Sequence, residues 1–296
     1  MNKLRINNLW LVFKTTCVKW YNRDPFGESA IVAYNSIFSL PGLLVVVVTL
    51  AGYFFGAEAV SGKLHSQIAQ TMGLQTANQI KAMLIAANKS QETWLANAIG
   101  VVTILIGATG VFVQLQKSLN TIWEVKATTK KSGIWIYLKT RLFSFGLIVS
   151  IAFLMLVSLV LSSFLAALGN WTLNYTSESL IILFQVLNFI FSLAIITVLF
   201  AFMFKILPDA KIKWHLVWIG AFFTAILFVI GKSLLGLYFG KTDPTSGYGA
   251  AGSIVLILLW VSYSSMIVFF GAEFTKTYSD YYYGEIPASD TAVKKK

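Results

Sequence analysis

Six stretches of this chain stay apolar for about the 20 helical residues needed to cross a hydrocarbon core of about 30 Å. They are Ala30–Phe55, Leu95–Leu115, Leu142–Leu168, Leu180–Phe204, Leu216–Phe239 and Ser253–Phe274. Barrel strands are short and alternate in polarity, whereas these runs are continuously apolar, so the pattern predicts helices. The expected fold class is all-α, a polytopic membrane bundle of six transmembrane helices over 30–274. A cytoplasmic amphipathic segment (1–29) precedes it and a cytoplasmic tail (275–296) follows.

Between the runs the period changes. Ile6, Trp10, Phe13, Cys17 and Trp20 recur at steps of four and three, with Arg5, Asn8, Thr15 and Lys19 roughly opposite. That spacing suits an interfacial helix in the headgroup plane, or a cytosolic helix packed on the bundle. Asp24-Pro25-Phe26-Gly27 then turns the chain into the first run. The outer segment 56–94 carries Leu64 and Ile68 on one face, then Ile80, Met83, Leu84 and Ala87 on another. It predicts two short helices broken near Gly73.

Composition agrees. The 296 residues are 57% hydrophobic and 12% charged, with a mean hydropathy of +0.72. Soluble domains carry about a quarter charged residues, so the apolar surface is expected to face lipid. Net charge is +11, and its placement fixes an orientation. With the N-terminus inside, 18 of the 23 Lys and Arg fall in the inner segments 1–29, 116–141, 205–215 and 275–296. Four fall outside and Lys232 lies within the fifth run. This asymmetry predicts cytoplasmic N- and C-termini. The basic loops, Lys126, Lys130 and Lys131 among them, predict anionic lipid headgroups as partners rather than nucleic acid. A single cysteine, Cys17, excludes an internal disulfide and a multi-thiolate zinc site. Residues 1–29 lack the pattern of a cleavable signal peptide.

Enzyme signatures are missing. No G-x-x-x-x-G-K-[ST] or H-E-x-x-H occurs. Gly231-Lys232-Ser233 matches only the end of a P-loop, within a spanning run. His65 and His215 sit near no plausible nucleophilic serine. The expectation is a non-enzyme without metal or cofactor.

The polar residues inside the runs are the candidates for a substrate path. Lys232, seven residues before Phe239, costs about 2.5–3.5 kcal/mol at a helix centre. It either snorkels to the outer headgroups, lines a polar cavity, or forms a structural ion pair. Glu273, near the inner end of the sixth run, either pairs with Lys276 at the interface or serves gating or proton coupling. Asn35, Ser36 and Ser39 precede Pro41, where a kink is expected near Ile37. Their side chains either satisfy the freed carbonyl or border a path. Gln185 and Asn188 share a face, for interhelical hydrogen bonds or pore lining. Gly236 and Gly240 suit close helix packing.

Four ordered stretches resemble one family. They are Ala33-Tyr34-Asn35-Ser36-Ile37-Phe38-Ser39-Leu40-Pro41; then Gln114, Leu119, Asn120 and Trp123 within 107–123. Next come Leu207-Pro208-Asp209 with Trp218, Gly220, Ala221, Lys232 and Gly236-Leu237-Tyr238. Last is Tyr248-Gly249-Ala250-Ala251-Gly252, with Trp260 and Gly271-Ala272-Glu273. Together they resemble the YihY/BrkB family of bacterial inner-membrane proteins. Asn35 and Ser36 depart from it, standing where an aromatic residue and threonine are expected. The resemblance implies a six-helix protein of the inner (plasma) membrane. A ribonuclease label once attached to the family fits these residues badly. Export of lipidic or amphiphilic molecules is implied as a lead. The expected function is therefore a transporter, exporter or lipid-handling protein for an amphiphilic or anionic substrate. The alternative is a non-transporting envelope scaffold or assembly factor. A homo-oligomer is compatible with either.

Overall fold

The computed structural model describes residues 6–89, 110–127, 178–242, 248, 251–289 and 292–295. Helix α1 (Ile6–Asn22) leads into α2 (Pro25–Phe55), then α3 (Ala57–Met72) and α4 (Leu74–Lys89). Helix α5 (110–122) precedes strand β1 (Val125–Ala127). Helices α6 (Glu178–Ile206), α7 (Trp214–Thr242) and α8 (Gly252–Tyr282) follow, and strand β2 (Ala292–Lys294) closes the described chain.

Local chemistry sets the joints. Asp24 adopts φ +50°, and its carboxylate accepts from the Gly27 N–H at 3.1 Å. Pro25 occupies the first turn of α2, where its missing N–H costs nothing. Gly73, at φ +86°, separates α3 from α4, a backbone conformation that glycine adopts without a Cβ clash. The segment 56–94 thus contains a helical hairpin, with Ile80 and Leu84 buried on the expected face.

Three described helices are long and apolar enough to cross a membrane: Val186–Ile206, Trp214–Phe239 and Gly252–Tyr282. They correspond to the fourth, fifth and sixth apolar runs. The first run lies inside the 31-residue α2. The second is described only from residue 110 on, and the third lies outside the described residues. Much apolar surface points outward: Phe189 and Ile190 are each 55% exposed, and Leu234 59%. An apolar surface of that kind needs lipid or a partner rather than water.

The sixth helix runs past the expected boundary at 274. Thr275, Lys276, Thr277 and Ser279 continue it and are buried. Of these, Lys276 reaches Glu124 on another segment. Thr275 donates to the Gly271 carbonyl of its own helix while packing against Gly220, and Ser279 donates to the Gly284 carbonyl.

Helices α1, α2, α4 and α7 all pack on α8, and α6 packs on α7. The α7–α8 contact is reciprocal. Gly220 of α7 faces Thr275 of α8, and Gly271 of α8 faces Thr224 of α7. Each threonine hydroxyl donates to its own helix's glycine carbonyl, at 2.7 Å in both cases. The hydroxyls are therefore satisfied without leaving the interface, and the glycines let the backbones approach closely.

Two apolar clusters lie along the bundle. One gathers Val12, Leu119, Trp123, Phe204, Leu216 and Phe269; the other gathers Leu44, Val48, Val60, Ile80, Leu84 and Ile257. The first sits where four chain segments converge. There β1 pairs antiparallel with β2, with Lys126 opposite Val293. Ala210 bridges to Ala288, and Lys211 N–H donates to the Pro287 carbonyl. The second cluster is covered by the α3–α4 hairpin. The short ribbon adds β structure that the all-α expectation did not contain.

Candidate functional site

The converging end of the bundle holds a cluster of charges around Arg23, in the joint between α1 and α2. Its Nη2 bonds Glu124 Oε1 at 2.8 Å, and its Nη1 donates to the Thr121 carbonyl at 2.9 Å. Its Nε lies 2.8 Å from Glu273 Oε2. Lys276 Nζ completes the set at 2.6 Å from Glu124 Oε1. Lys19 and Asp280 add a looser pair at 3.8 Å between α1 and α8.

Glu273 is the unusual member, with 0% of its side chain exposed. Its distance to Arg23 is that of an ion pair. Neither carboxylate oxygen, however, meets hydrogen-bond geometry with a described residue. Distance and alignment disagree here, and both matter: the charge is compensated, while the lone pairs are poorly used. A cavity of about 20 Å³ adjoins it, lined by Arg23, Glu28, Ser118, Thr121, Phe269 and Glu273 among others. That volume matches a single water site. Ser118 donates to Glu28 Oε2 at 2.6 Å across the same space.

Glu124 lies outside the spanning helices. Burial pushes its carboxyl up, but hydrogen bonds from Lys276 and Arg23, and their charges, outweigh that and hold it at about 2. It stays ionised at all ordinary pH values and anchors both cations.

A second polar clasp steadies the same end. Asn120 Nδ2 donates to Asp209 Oδ2, and Asn120 Oδ1 accepts from the Asp209 N–H, each at 2.8 Å. One side chain thereby fixes the loop between α6 and α7 against α5.

Of the sequence-predicted candidates, only Glu273 belongs to this cluster. Its partner is Arg23 rather than Lys276, because Lys276 reaches to Glu124 instead. Asn35 Nδ2 donates to the Ile31 carbonyl and Ser36 Oγ to the Val32 carbonyl, both at 2.8 Å. Both bonds stay within α2, and neither reaches the Ile37 carbonyl that Pro41 frees. Ser39 is buried, 3.1 Å from where a Cβ on Gly110 would stand. Pro41 lies inside the continuous α2, with its side chain outside those described. Lys232 is exposed on α7 between exposed Ile230 and Leu234, without an ion-pair partner among the described residues. Asn188 is exposed on α6, and the Gln185 side chain is outside those described. Neither described cavity joins Lys232, Asn35 and Asn188 into one path.

Sequence reasoning missed Arg23, Glu28, Glu124 and Asp209 as site residues. A signal existed. The whole chain has only 12 Asp and Glu, so each acid beside an apolar run deserved a search for its cation.

Among the described residues, no group of three or more His, Cys, Asp or Glu is placed to hold a metal ion. Comparison with known proteins gives a consistent result. The family model described as "Virulence factor BrkB" matches residues 17–296. A UPF0761 membrane protein of Pseudoalteromonas atlantica is 25% identical over 95% of this chain and 91% of its own length. One of Tolumonas auensis is 25% identical over 88% of this chain and 83% of its own. One of Saccharophagus degradans is 26% identical over 86% of this chain, which spans just 56% of that longer protein. No solved structure matches. The family match over nearly the whole chain, with the apolar helices described above, makes this a membrane protein of the BrkB family.

Proposed function

We propose that this chain is a six-span protein of the bacterial inner membrane, with both termini cytoplasmic, that moves or presents an anionic amphiphile without acting as an enzyme. The carrying observation is Glu273. It is fully buried at the inner end of an apolar helix, compensated by Arg23 and set beside a small cavity that Glu28 and Ser118 also line. Ionisable groups are expensive inside a membrane helix, and their placement marks a working site more often than a structural one. A buried pair whose lone pairs are poorly used is well suited to exchange partners with a substrate anion.

Topology gains support from the convergence of chain segments. The described parts of 1–29, 116–141, 205–215 and 275–296 touch one another through Arg23, Glu124, Asp209 and strand β2. The charge asymmetry places these four segments on one side of the membrane, and an even number of spans between successive members satisfies that.

The test is transbilayer movement of a fluorescent phosphatidylglycerol in vesicles containing the purified protein. Movement well above that in protein-free vesicles is expected. Equal rates would refute a transport role. They would favour the second reading, an envelope scaffold, for which the close Gly–Thr packing of α7 on α8 and the small size of the inner cavity speak.

A further inference from the structure

An open groove of about 770 Å³ lies between the end of α6, the α6–α7 loop, the start of α7 and Ser289. Three lysines line it, Lys205, Lys211 and Lys213, against one carboxylate, Asp209. That carboxylate is already engaged by Asn120. Among the described lining residues, basic side chains therefore outnumber acidic ones.

Its floor is fixed. Lys211 N–H donates to the Pro287 carbonyl and Ser289 N–H to the Asp209 carbonyl, each at 2.9 Å. Lys205 Nζ donates to the Ile212 carbonyl and sits 5.4 Å from the Trp214 ring centroid. Trp214 stacks on Trp218 at 6.5 Å, and the two are 47% and 44% exposed. Aromatic residues with a wet edge and an apolar face collect at the headgroup level of bilayers. Helix α7, which starts here, is long and apolar enough to span.

We propose that this groove binds the phosphate of an anionic membrane lipid. Lys211 and Lys213 meet the phosphate, and the exposed Trp214–Trp218 pair lies along the glycerol and upper acyl region. A soluble phosphate would use the lysines and gain nothing from the two indoles, which favours the lipid. The assignment rests on the proposed placement of this end of the bundle at a membrane surface, and not on transport.

The experiment titrates the full-length protein, in a neutral detergent, with phosphatidylglycerol, phosphatidylcholine or inorganic phosphate, read by native mass spectrometry. Phosphatidylglycerol is expected to bind in preference to phosphatidylcholine. A lysine beside an anionic headgroup is worth about fivefold in affinity, so Lys211→Gln with Lys213→Gln should weaken binding about 25-fold. Lys211→Arg with Lys213→Arg should retain it. Lys232→Gln, on the same helix but outside the groove, should change nothing. Equal binding of the two lipids overturns the site, as does full affinity in the double glutamine variant. Inorganic phosphate binding as tightly as phosphatidylglycerol overturns the lipid assignment. Because the readout is binding, absent flux with intact lipid binding fails the transport role alone. The converse result fails the groove alone.

Discussion

Gly271→Ala is the sharpest test of the packing that holds the site together. A Cβ at this position would stand 2.8 Å from Thr224 Cβ and 2.9 Å from its Cγ2. Comfortable carbon–carbon contacts are about 3.5–4.0 Å. Thr224 Oγ1 would stand nearer still, so either α7 and α8 part by more than about 1 Å, or Thr224 leaves its rotamer and gives up its bond to the Gly220 carbonyl. Overpacking of this kind costs about 1–3 kcal/mol. The upper end is expected, because parting the helices also loosens the matching Gly220–Thr275 contact. Unfolding of the purified protein in mixed micelles of rising SDS fraction measures the loss. The same substitution in a Thr224→Gly background removes the clash, so its cost there should fall to about 0.5 kcal/mol or less. A double-mutant cycle isolates that coupling. A neutral Gly271→Ala, or an equal cost in both backgrounds, would refute the close approach of these helices.

Other consequences follow from the charge cluster and the clasp. Arg23→Gln leaves Glu273 buried without its cation. Breaking a buried pair costs about 3–5 kcal/mol, and the lower end is expected because Arg23 itself is 24% exposed; Glu273→Gln should cost less in the same unfolding assay. Asn120→Ala removes the acceptor for the Asp209 N–H and a donor to its carboxylate. A loss of about 2–3 kcal/mol is expected, with proteolysis in the 207–213 loop increasing. Glu124, held at about 2 in the folded protein against an ordinary 4.5, contributes stability that is present above 4.5 and lost as pH falls toward 2. The stability gap between wild type and Glu124→Gln should therefore be constant from pH 7 to about 5 and narrow below that. A gap that widens on acidification would contradict the assignment.

Three of the six expected spans were legible as helices long and apolar enough to cross a membrane, because uninterrupted apolar runs of that length favour a helix in lipid. The α3–α4 hairpin was legible too, since helical spacing on both sides of Gly73 needs no distant information. The site was legible only in part. Glu273 stood out as an acid in an apolar run, but its cation comes from the opposite end of the chain. Nothing local at Arg23 announces that contact. Asn120 and Asp209 were each noticed within separate motifs, while their mutual clasp is a property of the fold. Lys232 shows the converse. A lone lysine in an apolar run is easy to see, yet the structure places it among exposed apolar neighbours, with no ion-pair partner among the described residues. The β1–β2 ribbon was invisible for a different reason. Three residues per strand carry little periodicity, and their pairing depends on chain segments far apart in sequence.

The central claim is that the pair of buried Glu273 with half-buried Arg23 is the working part of this membrane protein. It is tested most directly by phosphatidylglycerol movement in vesicles containing either wild-type protein or Glu273→Gln, with matched amounts of monodisperse protein. The account predicts rapid movement with the wild type and a loss of at least about tenfold with Glu273→Gln, equivalent to about 1.4 kcal/mol. Identical rates from the two proteins would contradict it.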